Sequence, residues 1–138
     1  MTELKLDESW VEINAHKLFD KLGYDTQWGP DHHPKTEYPE REFLSEVILE
    51  KRLLKNLKII NPGLSNDLYE TAIGALHAVS SNDTMFSNRK FHDLLLNGII
   101  IKVPDQSGKP RPEHVSFVDW ENVSKNDFLA VRQFVVEG

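Results

Sequence analysis

Histidines, carboxylates and lysines are the side chains of this sequence that could do chemistry. No cysteine is present, which removes thiolate metal sites, disulfides and a cysteine nucleophile. His32 and His33 are adjacent imidazoles of the kind that ligate metals. No carboxylates accompany them at a fixed spacing, and Pro30, Pro34 and Pro39 surround them, so the pair reads as part of an exposed loop. His92 follows Phe91 in a helical stretch and has no nucleophile to serve. Asp119 and Asp127 flank a predicted turn. Asp119 could face a metal, but aspartate commonly accepts hydrogen bonds from its own turn backbone, which is the plainer reading. Pro30-Asp31 and Pro104-Asp105 are read the same way. Lys51, Arg52, Lys55 and Lys58 lie on the polar side of a predicted helix and could touch phosphate; an ordinary solvated face explains them more simply. Ser9-x-x-Glu12 has the form of a capping box, with the glutamate reaching back to the cap backbone. No glycine-rich loop ending in Gly-Lys-Ser/Thr occurs, so these residues contain no P-loop.

The elements that must position these groups follow from periodicity and punctuation. Val11, Ala15, Leu18 and Leu22 form one apolar stripe, predicting a helix over 9–22 that ends near Gly23. Residues 24–40 lose periodicity and read as a loop. A helix is predicted from Glu42 to about Leu57, with Leu44, Val47, Ile48, Leu54 and Leu57 inward and Asn61-Pro62-Gly63 as its stop. Leu68, Ala72, Leu76 and Val79 predict a third helix over 66–79, and a short fourth spans 89–96 before Asn97-Gly98. The β-branched run Ile99–Val103 reads as a strand, 104–113 as a turn, 114–120 as the return strand, and 128–137 as a third strand. Helices followed by an antiparallel hairpin or three-stranded sheet make an α+β fold.

The chain has 138 residues and is read as one domain over 1–138. Hydrophobic residues make up 39% and charged residues 28%, an ordinary globular balance that argues against disorder. The net charge of −6 argues against a strongly basic nucleic-acid module, because phosphate neutralisation supplies most DNA affinity. No apolar run approaches the roughly 18 residues a membrane span needs. Met1-Thr2-Glu3-Leu4-Lys5 lacks the basic-then-apolar layout of a signal peptide, so a cytoplasmic protein without membrane partners is expected.

Four blocks, in order, carry a resemblance. They are Glu12 through Leu22-Gly23-Tyr24; Arg41 through Asn61-Pro62-Gly63-Leu64; Asn88 through Leu95 with Asn97-Gly98-Ile99; and Val118 through Asn122 continuing over Asn126 to Phe134. Each is weak alone, but their order and spacing across nearly the whole chain resemble the N-terminal region of the restriction (R) subunit of type I restriction–modification enzymes.

The resemblance implies an endonuclease domain of the PD-(D/E)xK kind, of which these residues are the first part. In the intact subunit it implies magnesium and ATP as cofactors, DNA as substrate, and the modification and specificity subunits as partners. It also implies an auxiliary catalytic role for Glu12, which matches a glutamate that related nucleases place on their first helix near the metal. The family's Pro-Asp and Glu-x-Lys follow shortly after the strand corresponding to residues 126–134, and neither occurs there in these 138 residues. Glu3-Leu4-Lys5 matches Glu-x-Lys by letter only, with no Pro-Asp a strand upstream. A piece truncated before the catalytic motif, binding no cofactor and neither cutting DNA nor hydrolysing ATP alone, is therefore expected. Its unpaired strand edge would favour self-association. The rival reading is a non-catalytic interaction module docking on another subunit. A DNA mimic is a third reading, weakened by the even spread of lysine and arginine.

Overall fold

A computed structural model of the chain describes residues 7–32, 41, 43, 45–79 and 84–136. In order the elements are α1 (Glu8–Lys21), β1 (Asp25–Trp28), a 3-10 turn (Gly29–His32), α2 (Glu50–Ile60), α3 (Asn66–His77), α4 (Thr84–Asn97), β2 (Ile99–Pro104), β3 (Pro110–Val115), a 3-10 turn (Val123–Lys125) and β4 (Leu129–Arg132). The fold is α+β, as the sequence predicts. It forms two compact units, Met1–Leu49 with Asp127–Gly138, and Glu50–Asn126.

In the first unit, Asp7 caps α1: its carboxylate accepts from the Trp10 N–H at 2.9 Å. Ser9 lies inside the helix, so the expected capping box does not form. At the other end Gly23 takes φ +88°, its N–H donates to the Asp20 carbonyl, and the Tyr24 N–H donates to that of Phe19. This Schellman turn satisfies carbonyls the helix would otherwise strand. Its usual apolar clasp is present, with the Phe19 and Tyr24 rings 4.9 Å apart edge to face and Phe128 5.2 Å beyond. The turn feeds β1, which pairs in parallel with β4 from Asp25 opposite Leu129 to Trp28 opposite Arg132.

Two expectations fail here. The last strand does not extend the hairpin into a three-stranded sheet; it pairs with β1, inside a stretch read as loop. The stripe of α1 is largely exposed: Val11, Leu18 and Leu22 are more than half exposed, and the helix's less exposed positions are Glu12 and His16. The helix expected from Glu42 to about Leu57 starts later: Phe43 and residues 45–49 are not helical and α2 begins at Glu50, while Glu42 and Leu44 lie outside the described residues. Arg41 donates to the Glu46 carbonyl at 3.2 Å, taking the acceptor that a continuous helix would offer to the Glu50 N–H. The same guanidinium stacks 3.9 Å over the Phe134 ring, so this buried arginine is spent on packing.

The second unit holds the larger apolar core: Leu57, Leu68, Tyr69, Ala72, Ile73, Leu76, Val115 and Phe117. Leu68, Ala72 and Leu76 are the predicted face of α3. β2 and β3 form the expected antiparallel hairpin, from Ile99 opposite Val115 to Pro104 opposite Pro110. The return strand begins and ends earlier than expected, for two local reasons. The Asp105 carboxylate closes a tight turn by accepting from the Ser107 N–H and hydroxyl and the Lys109 N–H. Beyond Val115, the side-chain amide of Asn61 replaces a neighbouring strand: it donates to the Ser116 carbonyl at 2.7 Å and accepts from the Ser116 N–H at 2.8 Å.

Asn61 therefore does more than stop α2. Its own carbonyl accepts from the Tyr69 hydroxyl at 2.6 Å, tying the end of α2 to α3 and to the end of the hairpin. Asn61→Ala leaves both Ser116 backbone groups, in a part-buried site, without that partner, at about 2 kcal/mol. Urea unfolding of the variant checks this through a lower midpoint at unchanged slope.

Candidate functional site

Glu12 is the sequence-derived candidate, and the structure brings it to the end of β4. The Gln133 side-chain amide donates to Glu12 Oε2 at 2.9 Å, and Arg132 Nε lies 4.0 Å from Oε1. The Glu12 side chain is only 22% exposed, on the face of α1 that it shares with His16. Arg132 is oriented in turn by Trp28, whose ring lies 5.3 Å from the guanidinium carbon. Glu8, Val11, Glu12, Arg132 and Gln133 line an open cleft of about 500 Å3.

Gln133 is the residue that sequence reading passed over. It is the one non-glycine residue with positive φ, +55°, among those described. A left-handed glutamine is uncommon because its Cβ crowds the backbone carbonyl. Gly29 packs directly against the Gln133 carbonyl, where a Cβ on residue 29 would collide with it. No sequence signal marks either feature: both depend on β1 and β4 lying side by side.

The other candidates settle into structural roles or outside the described residues. Asp119 Oδ1 accepts from the Glu121 and Asn122 N–H groups, and the Asn126 amide pairs with both backbone groups of Asp119. This is the turn chemistry expected of it. Asp127 follows that turn and is exposed, and His92 is exposed on α4. Lys51, Lys55 and Lys58 are exposed on α2, while Arg52 is half-buried. Asp31 sits in the 3-10 turn after β1. Glu3-Leu4-Lys5, His33 and the His32 side chain lie outside the described residues.

Asp105 is held below the usual carboxylate range, first by the Ser107 hydroxyl and then by the Lys109 N–H. Its folded midpoint is depressed, so its contribution to the turn is present above the unfolded midpoint and is lost as pH falls through the folded one. A carboxyl carbon NMR titration should place it lower in the folded chain than in a peptide spanning 103–111; equal midpoints would remove the turn's role.

Magnesium takes hard oxygen ligands, usually with one or two carboxylates. Glu12 offers a single carboxylate, one oxygen of which receives an amide while a guanidinium stands beside the other. Among the described residues no group of three or more histidines, aspartates and glutamates could hold a metal ion. Among the described residues, Glu12 is not joined by the further carboxylates that would complete a magnesium donor set.

Comparison with known proteins fixes the family. Residues 5–138 match the family described as type I restriction enzyme R protein N terminus. The chain belongs to this family. It is 33% identical over 134 residues to a putative type I restriction enzyme MjaIXP endonuclease subunit of Methanocaldococcus jannaschii, covering 96% of this chain and 13% of that protein. It is 25% identical over 131 residues to the type I restriction enzyme HindI endonuclease subunit of Haemophilus influenzae, covering 95% of this chain and 12% of that one. The chain thus spans about an eighth of the length of these curated relatives. No solved structure matches it. Among the described residues no helix is long and apolar enough to cross a membrane. For this R-protein N terminus, the blocks that carried the resemblance have visible structural jobs. Asn61 joins α2, α3 and the hairpin; Asp119 and Asn126 lock the turn; Arg132 and Gln133 meet Glu12.

Proposed function

We propose that this chain is the N-terminal part of the endonuclease portion of a type I R subunit, and that Glu12 serves the DNA-cleaving site of that subunit. The observation that carries the reading is the family match across residues 5–138. The intact subunit would act in the cytoplasm, moving along DNA by ATP hydrolysis and cutting both strands with magnesium. It would do so in complex with modification and specificity subunits, the latter choosing the DNA site. The contribution of these residues is to hold a carboxylate on α1 against the end of β4. The reading requires a Pro-Asp and a Glu-x-Lys, and neither follows residues 126–134 within these 138 residues. The chain alone should neither cut DNA nor hydrolyse ATP.

The test is reconstitution of a full-length R subunit containing this sequence, with its modification and specificity subunits and an unmodified plasmid. Double-strand breaks that need both ATP and magnesium are expected. A subunit that still cuts normally after removal of residues 1–138 would sink the assignment to the nuclease portion.

A further inference from the structure

We propose that Gln133 is a positioning residue: it orients the Glu12 carboxylate toward the cleft, and its strained backbone is the consequence. The proposal rests on the reading of Glu12 given above. The motivating observation is the backbone. Strained residues persist only where their surroundings over-determine them, and they concentrate at functional sites. Gln133 stands at φ +55° directly after β4, whose parallel pairing with β1 ends at Trp28 opposite Arg132, and its carbonyl lies against Gly29.

A glycine at 133 would take this conformation without strain. What glutamine alone supplies is the amide, and that amide donates to Glu12 Oε2 at 2.9 Å. The preceding residue addresses the other oxygen. Arg132 Nε is shielded from solvent, has no hydrogen-bond partner among the described residues, and stands 4.0 Å from Oε1. Of two consecutive residues at this strand end, Gln133 thus hydrogen-bonds one oxygen of the carboxylate while the charge of Arg132 stands near the other. The cleft lined by Glu8, Val11, Glu12, Arg132 and Gln133 stays open beside it, so the carboxylate is aimed rather than sealed. Groups that must meet a reacting centre work when their rotamers are locked by such neighbours, and small misplacements are costly.

The experiment uses Gln133→Gly and Gln133→Asn, alone and with Glu12→Gln, in the full-length subunit assembled with its partners. Glycine removes the amide while relieving the backbone. Asparagine, which tolerates the left-handed region, keeps an amide one methylene too short. Both should slow DNA cleavage about ten-fold at unchanged DNA affinity and unchanged ATP hydrolysis, with the thermal midpoint of the glycine variant no lower than wild type. Because Gln133 acts through Glu12, the double variants should cleave no more slowly than Glu12→Gln alone. In the isolated 138-residue chain, the Gln133 side-chain amide proton signals should move on Glu12→Ala. Wild-type cleavage by both Gln133 variants, or losses that multiply in the double variants, would overturn the proposal. Wild-type cleavage by Glu12→Gln alone would instead show that the reading of Glu12 is at fault.

Discussion

Glu12→Gln in the assembled full-length subunit should lower DNA cleavage on the order of 100-fold, the upper range seen when groups supporting a metal or reacting centre are removed, while ATP hydrolysis continues. The substitution keeps the shape and removes the charge. It should scarcely affect folding, because the ionic contact to Arg132 is long, 4.0 Å, and such pairs contribute at most about 1 kcal/mol. The competing explanation of Glu12, a capping residue, makes the opposite forecast of intact cleavage and a weaker helix. The structure already assigns the cap to Asp7, whose carboxylate accepts from Trp10. Asp7→Ala should therefore cost about 1 kcal/mol of stability with cleavage preserved. Parallel thermal unfolding and plasmid-cleavage assays on the two variants separate the roles, and a Glu12→Gln enzyme within two-fold of wild type would leave Glu12 without one.

Leu57→Ala should be among the most destabilising single truncations in the second unit. Leu57 has no exposed surface and lies on the face of α2 turned toward the core. Truncating a buried leucine forfeits its transfer energy and leaves a cavity, together about 3 kcal/mol. For a chain of this size that lowers the thermal midpoint by roughly 10 °C. Val47→Ala is the informative partner. The helical spacing places Val47 and Leu57 on one inward face, but Val47 is 64% exposed and precedes the helix. Its truncation should change stability by less than about 0.5 kcal/mol. Circular dichroism melts showing equal losses for both would restore the longer helix and contradict the start of α2 at Glu50.

The sequence by itself determined the features that depend on neighbours along the chain. Gly23 marks the end of α1, Asn61-Pro62-Gly63 ends α2, and Leu68, Ala72 and Leu76 are the inner face of α3. The hairpin was legible from Ile99–Val103, and Asp105 and Asp119 from turn chemistry. Each of these is a local competition among helix, strand and turn, decided by side chains a few residues apart. The tertiary structure decided what depends on distant partners. β1 is four residues without an apolar run, and it is a strand only because β4 supplies its hydrogen bonds. The stripe Val11, Ala15, Leu18 and Leu22 has helical period, yet a period names two faces without saying which one will find a partner. Glu12 and Gln133 each look ordinary in sequence. Parallel pairing of β1 with β4 sets Gln133 in a left-handed turn beneath α1, and only that long-range contact joins the two into one site.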